Sequence, residues 1–125
     1  MAKRTRASGT ARDYPRTARL NQLFQEILAE ELEKVDDERL ELVTIMSVDC
    51  EVDLRHATVR FDTLGGEDDD EDVLEALAQH RHTLQAAIGR QARVKRTPEL
   101  VFKPDDVTRS AARLEEVLRE LRDEE

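Results

Sequence analysis

Residues 42–64, Leu42-Val43-Thr44-Ile45-Met46-Ser47-Val48-Asp49-Cys50-Glu51-Val52-Asp53-Leu54-Arg55-His56-Ala57-Thr58-Val59-Arg60-Phe61-Asp62-Thr63-Leu64, decide how this chain folds. The even positions Leu42, Met46, Val48, Cys50, Val52 and Leu54 are apolar, with Thr44 the one interruption, and Asp49, Glu51 and Asp53 stand between them. After a break at Arg55-His56 the parity switches, so that Ala57, Val59 and Phe61 are apolar while Thr58, Arg60 and Asp62 are polar. Alternation with a period of two predicts two strands, each with one dry and one wet face. Their connection is too short for a crossover, so the pair is antiparallel. A lone hairpin is unstable in water and needs a cover.

The flanking stretches supply it. From about Thr17 to Val35, Leu20, Leu23, Phe24, Ile27, Leu28, Leu32 and Val35 fall on one face of a helix, with Glu26, Glu30, Glu31 and Glu33 on the other. Asp36-Asp37 ends it. Beyond the hairpin, Gly65-Gly66 and six consecutive acids, Glu67 to Asp72, predict an exposed loop leading into the positive end of a helix from about Asp72 to Gly89. Its apolar side is Val73, Leu74, Leu77, Leu84 and Ile88, and Gly89 reads as its stop. Residues 92–102 predict a third strand, with Val94, Pro98, Leu100 and Phe102 on one parity. Pro98 cannot donate a ladder bond and places this strand at an edge or on a bulge. The intervening helix returns it parallel to the second strand. After Pro104 and Asp105-Asp106, a last helix carries the stripe Val107, Ala111, Leu114, Val117, Leu118 and Leu121. The reading is an α+β domain, a three-stranded mixed sheet with helices on one face in the order α-β-β-α-β-α. Residues 1–16 read as a flexible basic arm, 17–104 as the domain, and 105–125 as a C-terminal amphipathic helix with an acidic tail.

The bulk numbers fit one modest core in 125 residues, 39% of them charged. No apolar run approaches the roughly 20 residues that span a bilayer. The N-terminus lacks the apolar segment of a secretory signal. The single cysteine, Cys50, excludes an internal disulfide, fits a reducing cytoplasm, and reads as a small core residue. No exposed apolar stripe demands a dimer, and a monomer is expected. The net charge of −9 is unevenly spread: residues 1–20 carry a local balance of +5, and residues 90–96 hold Arg90, Arg93, Lys95 and Arg96 with no acid. An acidic body argues against indiscriminate nucleic-acid binding, while a basic patch on it can still meet RNA locally. On an edge strand the same charges could instead block aggregation.

Catalytic constellations are absent from the sequence. There is no G-x-S-x-G, no phosphate-binding glycine loop and no H-E-x-x-H. His80 and His82 stand two apart on a helix and cannot share a metal, and His56 falls in the hairpin turn. The acidic run lacks the ligand spacing of a calcium loop. No catalytic residue, metal or cofactor is expected. Phe24, Phe61 and Phe102 all lie on core faces, which leaves no platform for stacking bases.

Three segments, in order, carry a resemblance: Val52-Asp53-Leu54-Arg55-His56-Ala57-Thr58-Val59, then Thr97-Pro98-Glu99-Leu100-Val101-Phe102, then Asp105-Asp106-Val107-Thr108 before an amphipathic helix. With Arg19-Leu20 opening the first helix, the chain resembles the ribosome-binding factor A family over roughly residues 17–122. That resemblance implies a type II KH-like fold. It also implies a non-enzymatic role in late maturation of the small ribosomal subunit, bound near its ribosomal RNA. The family's helix carries an Ala-x-Gly kink, and the matching positions here are His80-Arg81-His82, with no G-x-x-G anywhere. On this reading Arg81, Arg90, Arg93, Lys95 and Arg96 contact phosphates, supported by Arg16 and Arg19. The alternatives are a KH-like RNA-binding module acting away from the ribosome and a protein-interaction domain whose basic patch meets an acidic partner.

Overall fold

The computed structural model describes the backbone of residues 2–123 and the side chains of residues 17–123. The chain runs α1 (Ala2–Lys34), β1 (Val43–Cys50), β2 (His56–Thr63), α2 (Asp70–Gln91), β3 (Glu99–Pro104) and α3 (Asp106–Asp123). Short 3-10 turns at Glu38–Leu40 and Gly66–Asp69 lead into β1 and α2. Periodicity starts the first helix near Thr17, whereas α1 begins at Ala2. The side chains of the basic arm expected over residues 1–16, and the last two residues of the acidic tail, lie outside this description.

The sheet order is β1-β2-β3, with β2 antiparallel to β1 and parallel to β3. The central strand therefore has neighbours on both sides, and its inward residues Ala57, Val59 and Phe61 are fully buried. Phe24, Ile27, Leu28 and Leu32 of α1 and Val73, Ala76, Leu77, Leu84, Ala87 and Ile88 of α2 complete the core on that face. Each large aliphatic or aromatic side chain removed from water contributes about 1.5–3 kcal/mol, so this one layer holds the sheet.

β1 departs from simple alternation. A register shift between Ile45 and Ser47 makes a bulge around Met46, and the buried residues are Ile45, Val48 and Cys50. One extra residue moves the side chains before it to the opposite face. Leu42 and Val52, expected inside, are exposed, and Met46 is only partly covered. Val52 and Leu54 belong to the turn between Cys50 and His56, and His56 opens β2 rather than lying in that turn. Leu54 adopts φ of 59°, a left-handed backbone that disfavours a side chain, while its own side chain packs against the core.

The free sheet edges are covered by polar side chains. Gln25 of α1 donates from Nε2 to the carbonyls of Ile45 (3.2 Å) and Met46 (3.3 Å), and the Cys50 amide donates to Asn21 Oδ1 at 2.7 Å. On β3, Glu99 and Asp105 donate to Arg55 and Phe61, so the alternate amides face outward. The Leu100 amide donates to Gln85 Oε1 at 3.0 Å, and Pro98 and Pro104 have no donor to expose. This confirms the edge placement read from Pro98, but β3 is shorter than the expected 92–102. Residues 92–98 form a loop, because Ala92 caps α2 and the chain must turn back toward the sheet.

α2 extends past Gly89, so that glycine is interior rather than a stop. A Cβ there would lie 3.2 Å from Thr97 Oγ1, and the position instead lets the loop approach the helix closely. The helix runs without interruption through His80–His82.

Contrary to the expectation of no exposed apolar stripe, the stripe of α3 is exposed, and none of the helix's residues is buried. α1 and α2 already fill the covered face, and polar anchors fix where α3 starts. Buried Asp105 accepts from the Thr108 amide (3.2 Å) and hydroxyl (2.7 Å), an N-cap. The Thr108 hydroxyl and the nearby arginines hold the Asp105 carboxyl below the usual carboxylate range, against the opposing effect of burial. Arg109 donates to Asp70 (2.6 and 2.9 Å) and to Asp62 (2.9 Å), which raises its already high pKa further.

Two outcomes follow from this packing. Arg109→Met leaves Asp62 and Asp70 facing each other without their cation and should cost about 1–3 kcal/mol by thermal melting, against about 1 kcal/mol for Asp105→Ala. Equal, negligible losses would mean that α3 is not anchored there. Burial and neighbouring Asp49 push the Cys50 thiol up to about 11. A thiol reagent at pH 8 should therefore label the native protein at its unfolding rate, whereas the rate of a free thiol would place Cys50 at the surface.

Candidate nucleic-acid interface

Four hydrogen bonds and register pairs bring distant sequence to one end of the molecule. Asn21 binds Cys50, Cys50 pairs with Ala57, Ala57 pairs with Leu100, and Leu100 binds Gln85 near the end of α2. That end carries Arg90 in the last turn of α2 and Arg93, Lys95 and Arg96 in the following loop, all exposed. Arg19, exposed two residues before Asn21 on α1, joins them. Arg55, at the turn into β2, belongs to the same end and was missed in the sequence reading. Its signal was its place in the hairpin turn, opposite the start of β3. The basic run therefore does not follow an edge strand, and edge protection does not account for it.

Acids temper this end without cancelling it. Arg55 lies 3.7 Å from Asp53, and His56 is 3.6 Å from both Glu51 and Glu99. Among the described residues, no ion pair to a carboxylate is present for Arg90, Arg93, Lys95 or Arg96. A cation in the last turn of α2 also meets the negative end of the helix dipole.

Arg81 stands apart. It lies halfway along α2, half-buried, with its guanidinium carbon 5.8 Å from the centre of the Phe102 ring. Its Nε is buried without a hydrogen-bond partner among the described residues. Arg81 thus packs α2 on β3 and is not gathered with the exposed cations. The side chain of Arg16 lies outside the described residues.

The neighbouring histidine has a structural use. His80 Nε2 is 3.0 Å from Asp37 Oδ2, and Asp37 also takes a bidentate contact from Arg39 at 2.7 and 3.0 Å. Arg39 in turn reaches Gln79 at 2.7 Å, so the connection before β1 is tied to the middle of α2. The Arg39 guanidinium, with His80, holds the Asp37 carboxyl far below the usual carboxylate range. His82 is exposed. Among the described residues, no group of three or more His, Cys, Asp or Glu could hold a metal ion. Nor is any described helix long and apolar enough to cross a membrane.

A three-stranded mixed sheet backed by α1 and α2, with cations gathered where α2 hands over to β3, is a KH-like domain with a positively charged end. The sequence profile of ribosome-binding factor A matches residues 16–118. The chain belongs to the ribosome-binding factor A family. Ribosome-binding factor A of Rubrobacter xylanophilus is 38% identical over 111 residues, 88% of this chain and 90% of that protein. The Corynebacterium kroppenstedtii relative is 44% identical over 115 residues, 88% of this chain and 74% of that protein. Among solved structures, the crystal structure of ribosome-binding factor A from Thermus thermophilus matches with a TM-score of 0.64 at 32% identity, covering 70% of this chain and 93% of that one. A Thermus thermophilus homology model fitted into the cryo-EM map of a 30S complex matches with a TM-score of 0.57 at 32% identity, over 66% of this chain and 88% of that one.

The Asp37 contacts give a pH dependence of known sign. A depressed folded pKa adds stability above the unfolded value, near 4, and that stability disappears as pH falls. Wild type should therefore lose more stability than Asp37→Asn between about pH 5 and 2. Parallel stability curves for the two proteins would show that the contact contributes nothing.

Proposed function

We propose that this protein is a non-enzymatic assembly factor that binds the immature small ribosomal subunit and aids late maturation of its ribosomal RNA. The observation that carries the reading is the convergence of Arg90, Arg93, Lys95 and Arg96 with Arg19 at one end of an otherwise acidic domain. The family membership and the Thermus relative fitted into a 30S complex support the choice of particle.

The cations act on phosphate. Arg93, Lys95 and Arg96 extend long, exposed side chains from the loop that follows α2, and Arg19 and Arg55 widen the patch. Each phosphate they neutralise releases about one counterion, so binding weakens steeply with salt. Among the described residues the aromatics Phe24, Phe61 and Phe102 are all buried, which leaves none of them to stack on bases. Selection then rests on the shape in which the particle presents its backbone. Arg81 serves the site by holding α2 against β3 rather than by touching RNA.

Co-sedimentation with small subunits tests this directly. Wild type should travel with immature subunits and dissociate as salt rises. A variant with Arg93, Lys95 and Arg96 all changed to Glu should stay at the top of the gradient, with an unchanged melting temperature. Equal binding by both proteins would remove these residues from the interface, and retention on isolated single-stranded RNA with no binding to subunits would place the function away from the ribosome.

A further inference from the structure

α3 starts at the opposite end of the domain and carries an apolar face that no described residue buries. Val107, Leu114, Val117, Leu118 and Leu121 are between 49% and 75% exposed. Positions 107, 111, 114, 118 and 121 alternate steps of four and three, the spacing of a seam that packs against another helix. A contiguous apolar stripe of this kind on a polar protein marks an interaction surface. The helix is also held in place for one, since Asp105, Arg109 and an ion pair between Arg113 and Glu67 fix its first turns.

Charge selects the occupant. Arg109 and Arg113 are engaged by the body's own acids, which leaves Arg119 and Arg122 as the other cations of α3. Against them stand Glu115, Glu116 and Glu120 on the helix and Asp68, Asp69 and Glu71 at its base. A second copy would bring this acidic base and its net charge of −9 against itself. A partner helix with one apolar face and basic flanks meets both features at once.

We propose that the exposed face of α3, with the acidic base beside it, is a docking surface for a basic amphipathic helical segment of a protein partner. The cationic end and the anchored start of α3 lie at opposite ends of α2, a helix of 22 residues that spans about 33 Å. The inference stands apart from the RNA interface, and its failure would leave that reading intact.

A synthetic helical peptide of α3's length, with leucines at seam positions and lysines elsewhere, is the probe, and a scrambled peptide of the same composition is its control. Fluorescence anisotropy should show the ordered peptide binding wild type at least tenfold more tightly than the scrambled one. Changing Leu114, Leu118 and Leu121 to Ser, which leaves net charge and the buried core untouched, should abolish that difference. Sedimentation should find wild type monomeric at the same concentrations. Equal binding of the two peptides, unchanged binding by the serine variant, or self-association of wild type lost in the serine variant would each overturn the proposal.

Discussion

The packing of Ala57, Val59 and Phe61 beneath two helices is the interaction on which everything else depends. A three-stranded sheet has only one face that this short chain can cover, and β2 places these three residues at its centre. α1 lies antiparallel to β1, since Asn21 meets Cys50 while Gln25 meets Ile45 and Met46. α2 then has one remaining place, beside α1 and over β3. Removing the aromatic ring of a buried Phe costs about 3–5 kcal/mol, a large share of the stability of a domain this size.

That packing sorts charge in space. α2 begins beside Asp62 and the acidic turn and ends beside the basic loop, so its length separates the two signs. The helix dipole favours the same arrangement, with Asp70, Glu71 and Asp72 in the first turn and Arg90 in the last. A chain with a net charge of −9 can therefore present a cationic surface to phosphate, because the acidic run from Glu67 to Asp72 is held at the far end of α2. Local field, rather than net charge, governs the encounter over distances near a Debye length, about 8–10 Å.

The fold class was legible because the apolar residues of β2, α1 and α2 recur at clean periods. β1 was legible as a strand and misread in detail. Its bulge at Met46 inverts which side chains face inward before it, while Val48 and Cys50 keep the expected face, and a period of two cannot register an inserted residue. Gly89 looked like a helix stop because its signal is identical whether glycine ends a helix or admits a close neighbour such as Thr97. Residues 92–98 looked strand-like through Val94 and Pro98, both of which face inward from a loop. α3 showed a strong apolar stripe, but sequence cannot say whether such a stripe meets its own core or a partner. At the basic end, Arg90, Arg93, Lys95 and Arg96 were legible as a run. Arg19 was grouped with them through the family resemblance, whereas adding Arg55 needed the tertiary links through Cys50 and Leu100, and Arg81 was assigned to the patch because its contact with Phe102 leaves no trace in sequence.

The central claim is that one end of α2 faces ribosomal RNA and the other does not. A photo-crosslinking residue at position 95 and, separately, at position 71 would test it on small subunits carrying the bound protein. The account predicts crosslinks to ribosomal RNA from position 95 and none from position 71. Crosslinks to RNA from position 71 alone, or equally from both, would contradict it.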